Sequence, residues 1–134
     1  MAQERPSILI VDDDPDACEM LSQILTDDCD LYDITTCTSF FRAFELIRTK
    51  PYDLYIFDFL TPEITADEFC EMLRRVEPNT PIVIYSAANE TLTRARAINA
   101  GADLYLIKPT DLDRICPSVK DLLDHRPAPT HGAA

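Results

Sequence analysis

The stretch Tyr52-Asp53-Leu54-Tyr55-Ile56-Phe57-Asp58 decides how this chain is read. Its apolar run suits a strand buried on both faces, and Phe59 and Leu60 follow it directly. Asp58 therefore places a charge beside a core, where it must be paired, hydrogen-bonded or metal-bound. Working outward, Ile8-Leu9-Ile10-Val11 ends in Asp12 and Asp13, and Ile82-Val83-Ile84-Tyr85 ends in Ser86. Leu104-Tyr105-Leu106-Ile107 ends in Lys108. Each run delivers a polar group at its C-terminal end, which is where parallel α/β sheets place their sites.

Helical patterns fill the intervals. Asp14-Pro15 offers an N-cap and a proline at the first helical position, and Ala17, Leu21, Ile24 and Leu25 follow at helical spacing. Leu31 to Cys37 reads as a short strand. Ser39 caps a helix whose Phe40, Phe41, Phe44 and Ile47 are expected to face inward, ending before Pro51. A helix from near Thr65 to Val76 carries Phe69, Met72, Leu73 and Val76. Leu92, Ala95 and Ile98 mark a short, weakly apolar helix, with Gly101 placed for a positive-φ cap. Val119, Leu122 and Leu123 belong to a last helix, where Pro117 marks either a kink or the true first turn. This alternation predicts an α/β fold. Its expected form is a doubly wound five-stranded parallel sheet of order 2-1-3-4-5, flanked by five helices.

The 134 residues suffice for one domain with its own core. A formal charge of −12 argues against direct nucleic-acid binding, which needs clustered Lys and Arg. Five cysteines without a CxxC pair argue against a zinc site or a disulfide framework and suit buried thiols in a reducing cytoplasm. No run approaches the ~18 apolar residues of a membrane span. The Pro/Ala-rich stretch 125–134 has linker composition.

In the expected strand order the first and third strands are neighbours, so Asp12, Asp13 and Asp58 meet at one rim. Three carboxylates at such range repel one another and either hold a proton or bind a hard cation. An all-oxygen set without His or thiolate selects Mg²⁺, with Mn²⁺ also compatible. Lys108 and Ser86 approach the same point as a compact cation and a hydroxyl. Together they form a phosphoryl-binding site with a carboxylate nucleophile. Singly, Lys108 reads as a surface lysine and Tyr105 as a half-buried strand residue; the joint pattern overturns that reading for Lys108.

These residues carry a resemblance. The stretch Ile8 to Asp14, Asp58 with Pro62 four residues on, Tyr85-Ser86-Ala87, Ala100-Gly101-Ala102 and Tyr105 to Pro109 together resemble the receiver domain of two-component response regulators. The resemblance covers 7–124, leaving 1–6 as an N-terminal extension and 125–134 as a flexible tail or truncated linker. It implies that Asp58 takes a phosphoryl group from a phosphohistidine of a sensor histidine kinase or histidine phosphotransfer protein. The domain would catalyse this transfer and the later hydrolysis on itself. Asp13 and Asp58 would ligate Mg²⁺ directly, Asp12 mainly through water, and the Leu60 carbonyl would complete the protein ligands. Lys108 would pair with the phosphoryl oxygens, Ser86 would move toward them, and Tyr105 would rotate inward as the readout. A cis Lys108-Pro109 bond is implied as well. The signal would pass to a downstream protein or to an output domain, and a phosphorylation-dependent dimer is within what the family allows.

Some positions depart from the family pattern. Thr61 stands where a methionine is common, Thr65-Ala66 replaces a frequent Asp-Gly, and Thr110 replaces an aromatic. Leu60 and Ala88, which in the family flank the path of the hydrolytic water, are both apolar and cannot orient it. Slow self-dephosphorylation is the expectation. The rival reading is a pseudo-receiver, a phosphorylation-independent binding module of the same fold.

Overall fold

Every strand of the sheet runs in the same direction, because each is followed by a helical crossover that returns the chain to the same end. The computed structural model describes residues 5–28, 31–59, 61 and 63–125. Strands β1 (Ser7–Val11), β2 (Asp33–Cys37), β3 (Leu54–Phe57), β4 (Ile82–Ser86) and β5 (Leu104–Ile107) pair in the order β2-β1-β3-β4-β5. The helices are α1 (Pro15–Asp28), α2 (Phe40–Thr49), α3 (Ala66–Val76), α4 (Thr91–Ala100) and α5 (Ile115–Asp124). A 3-10 turn over Leu112–Arg114 precedes α5. The expected fold class and strand order are both observed.

Strand side chains alternate between two cores. Leu9, Val11, Tyr55, Phe57, Ile82, Ile84 and Tyr105 face one way and pack with Phe40, Phe69 and Ala97 from α2, α3 and α4. Ile8, Ile10, Leu54, Ile56, Val83, Tyr85 and Leu106 face the other way, against Leu21, Leu25, Ile115 and Val119 from α1 and α5. The first core is aromatic. Phe69 stacks on Phe40 at 4.4 Å between ring centroids and meets Phe57 edge-on at 5.3 Å, both favoured ring geometries.

Local signals explain the helix ends. The Asp14 carboxylate accepts from the Asp16 amide at 3.0 Å, capping α1 just before Pro15. Ser39 caps α2 by accepting from the Arg42 amide at 3.1 Å. Gly101 ends α4 with φ 119°, the left-handed conformation that a helix C-cap favours and a side chain resists. Pro117 is the third residue of α5, in the first turn, where its missing N–H breaks no bond. The separate 3-10 turn accounts for most of the residues before it.

The helix faces differ from the sequence expectation in particular places. Phe41 is 66% exposed, because the inward stripe of α2 runs through Phe40, Ala43, Phe44 and Ile47, one step of about 100° away. In α3 the buried stripe is Ala66, Phe69, Cys70 and Leu73, which leaves Met72 and Val76 outside. Leu92 and Ile98 of α4 are exposed too, and Ala97 is the residue this helix buries. Leu31 is exposed, and β2 pairing begins at Asp33.

Candidate functional site

Asp12 and Asp58 leave neighbouring strands at the same level, since Val11 is the register partner of Phe57. The Asp58 amide donates to the Val11 carbonyl at 2.9 Å, and the Asp12 amide to the Cys37 carbonyl at 3.2 Å. Side-chain oxygens of Asp12, Asp13 and Asp58 all lie within 4.8 Å of one another. Asp12 is buried, Asp58 half-buried and Asp13 exposed, so the cluster opens to solvent on one side. The Asp14 amide donates to Asp12 at 3.0 Å, which turns the chain into α1.

Lys108 arrives from the end of β5 through a cis Lys108-Pro109 bond. Its Nζ lies 2.5 Å from Asp12 Oδ2 and 3.2 Å from Asp58 Oδ2. The same ammonium sits 5.5 Å from the centre of the buried Tyr85 ring, a contact that a cation favours. Burial alone would lower the Lys108 pKa; the hydrogen bond to Asp12 and the charge of Asp58 outweigh it and hold the ammonium above its ordinary value. At Asp12 burial wins instead, raising the carboxyl pKa against the Lys108 and Asp14 hydrogen bonds, with Asp58 adding repulsion. One ammonium against three acids leaves negative charge to be neutralised.

That donor set fits a hard divalent cation. Asp12, Asp13 and Asp58 would hold Mg²⁺ or Mn²⁺ through oxygen alone, with open positions for water or a phosphoryl group. The expected ligand Leu60, also named with Ala88 for control of hydrolysis, lies outside the described residues. Pro62 does as well.

Ser86 closes β4 at 1% exposure, and its Oγ accepts from the Ala88 amide at 3.2 Å. Tyr105 is buried, with its hydroxyl donating to the Ala88 carbonyl at 2.5 Å. Burial pushes the Tyr105 phenol up, against a hydrogen bond with Ser86 that lowers it. Asp12, Asp13, Asp58, Ser86, Ala88 and Lys108 thus gather at one end of the sheet, at or just past strand ends, and Tyr105, the second residue of β5, reaches Ala88 through its hydroxyl.

The loop after Asp58 is held without the usual glycine. Thr61 Oγ1 donates to the Ile64 carbonyl at 2.8 Å, and the Ala66 amide donates to the Phe59 carbonyl at 3.0 Å. Glu68 accepts from both the amide and the hydroxyl of Thr65, at 3.0 and 2.8 Å, which fixes the start of α3. Glu63 Oε1 accepts from the Phe40 amide at 3.1 Å, tying the loop to the first turn of α2. Glu63 escaped the sequence reading; Cys18, expected only as a buried thiol, is buried and donates to the Asp12 carbonyl at 3.4 Å from beneath the cluster. Burial pushes that thiol up to about 11 and so keeps it protonated. Neither residue belongs to a motif. Helical spacing could have found only that Cys18 faces inward.

With the geometry in place, comparison with known proteins is decisive at family level. A family model for the response regulator receiver domain matches residues 8–120, and the chain belongs to that family. It is 31% identical over 121 residues to the response regulator ArlR of Staphylococcus epidermidis, covering 90% of this chain and 54% of that protein. It is 30% identical over 125 residues to the transcriptional regulatory protein ZraR of Klebsiella oxytoca, covering 93% and 28%. The chain therefore spans about half the length of ArlR, and less of ZraR. Among solved structures, a two-component response regulator from Clostridium difficile superimposes with a TM-score of 0.83 at 30% identity, covering 90% of this chain and 98% of that one. The response regulator TrrA of Thermotoga maritima, in complex with Mg(2+)-BeF, gives 0.77 at 28% identity, covering 87% and 98%.

Proposed function

We propose that this chain is a phosphoacceptor switch of a two-component system or phosphorelay, with Asp58 as the acceptor. The observation that carries the reading is the position of the Asp58 carboxylate: Asp12 and Asp13 lie beside it, and the Lys108 ammonium is 3.2 Å away. A phosphohistidine of a sensor histidine kinase or phosphotransfer protein presents its phosphorus in line with Asp58. The carboxylate oxygen forms the new O–P bond as the N–P bond breaks, and the departing imidazole nitrogen takes up a proton. When bound, Mg²⁺ neutralises the carboxylates and phosphoryl oxygens. Lys108, kept protonated by its acidic partners, pairs with a phosphoryl oxygen. Ser86 supplies its hydroxyl to another, and Tyr105 reports the change to the outer surface through Ala88, whose amide donates to Ser86 and whose carbonyl accepts from the Tyr105 hydroxyl.

The unit that performs this is 7–124, acting in the cytoplasm on a downstream protein or an attached output domain. No helix among the described residues is long and apolar enough to cross a membrane. The Mg(2+)-BeF complex of TrrA supports the same cofactor here.

Incubation with Mg²⁺ and acetyl phosphate or a phosphoramidate, read by intact mass, tests the proposal. A phosphoryl adduct that needs the metal and disappears in Asp58→Asn is expected. Absence of an adduct with every donor, in folded protein, would return the chain to the pseudo-receiver reading.

The adduct is expected to decay slowly, because Leu60 and Ala88 offer a hydrolytic water no polar side chain. Polar substitutions at both positions should shorten its lifetime. An adduct that decays fast and is indifferent to them would contradict this.

A further inference from the structure

Helix α4 is an unusual neighbour for Tyr105. Its large apolar residues, Leu92 and Ile98, point to solvent, and Ala97 is the one residue it buries. Yet Tyr105 is only 4% exposed. The cover on the α4 side is Arg94, whose guanidinium carbon lies 5.7 Å from the centre of the phenol ring. Arg94 also donates from Nη2 to the Tyr105 carbonyl at 3.4 Å. Phe59 packs toward the ring from the β3 side, at 6.4 Å between centroids, and the Ala88 carbonyl receives the hydroxyl.

We propose that Arg94 is a positioning residue for Tyr105: spanning from α4, it holds the phenol ring in its buried position and so sets how readily the domain switches. The inference rests on reading Tyr105 as the switch residue of a phosphoacceptor. A cation over an aromatic face is attracted by the ring quadrupole, and the carbonyl contact fixes the guanidinium along the strand. Neither group belongs to the phosphoryl chemistry. The hold is therefore independent of the charge on Asp58, and it biases a two-state equilibrium that phosphorylation also biases.

The test uses the full chain carrying 3-fluorotyrosine, with the Tyr105 fluorine signal assigned by its loss in Tyr105→Phe. Arg94→Ala should move that signal toward the solvent-exposed value and lower the buried-to-exposed ratio by about two- to five-fold. Arg94→Lys should restore part of the shift. Arg94→Met, which keeps the aliphatic stem and drops the charge, should behave like alanine while the other tyrosine signals stay in place. A Tyr105 signal that is the same in wild type, Arg94→Ala and Arg94→Met overturns the proposal, as does an equal disturbance of every tyrosine. Mg²⁺ with beryllofluoride is then added to each chain, and the expected result is return of the Arg94→Ala signal to the buried value. No response in any chain would count against Asp58 as acceptor, while the donor-free comparison would still decide the role of Arg94.

Discussion

Gly101 and Arg74 constrain each other. Arg74, mostly buried, donates from Nε and Nη2 to the Gly101 carbonyl, from Nη1 to the Glu77 and Thr80 carbonyls, and from Nη2 to Asp103. A Cβ at Gly101 would lie 2.7 Å from Arg74 Cγ, on a backbone with φ +119°. Gly101→Ala therefore meets strain and crowding together and should cost about 1–3 kcal/mol, read as a lower urea midpoint at unchanged m. A stability equal to wild type would mean that the arginine gives way freely. The legible single residues were those ending apolar runs, since Asp12, Asp58, Ser86 and Lys108 each stop a strand. Arg74, Glu63 and Arg94 gave no such signal. Their partners lie up to 29 positions away, and nothing local distinguishes them from solvated surface charges.

At the scale of elements, α2 and α3 make a matched pair of predictions. Phe69 is fully buried among Phe40, Phe44 and Phe57, whereas Phe41 lies on the outer face. Phe69→Ala should destabilise the domain by about 3–5 kcal/mol through lost burial and a residual cavity. Phe41→Gln should stay within about 0.5 kcal/mol of wild type. Denaturation midpoints of the two variants check both, and similar losses would contradict the assigned faces. The five strands and five helices were visible in the sequence, because most strand runs are short and apolar and because Asp14, Ser39 and Gly101 mark helix ends. Which face each helix buries was less visible. Phe40 and Phe41 are equally apolar, and only the position of the sheet beneath selects between them.

For the whole molecule, the strand order followed from chain connectivity, since parallel crossovers of one hand leave few arrangements. The same packing sets a response to alkali. Burial pushes the Cys70 thiol from 9.0 to about 12, so the unfolded chain releases this proton first. Its contribution to stability is fully present below pH 9, is lost above it at about 1.4 kcal/mol per pH unit, and levels off near 12. Urea midpoints at pH 8 and pH 10 should therefore diverge more for wild type than for Cys70→Ala. Equal divergence would show that this thiol titrates normally in the fold.

The grip of Arg74 on Gly101 has a mechanical consequence. It clamps α4 at its last turn, far from the rim where Ser86 and Lys108 stand. With its 10 residues the helix forms a lever about 15 Å long, with the fulcrum at Gly101. Rotation by about 20° would carry its N-terminal end through roughly 5 Å. Thr91 and Leu92, at that end, then sweep the widest arc on this face, and Ala100 hardly stirs.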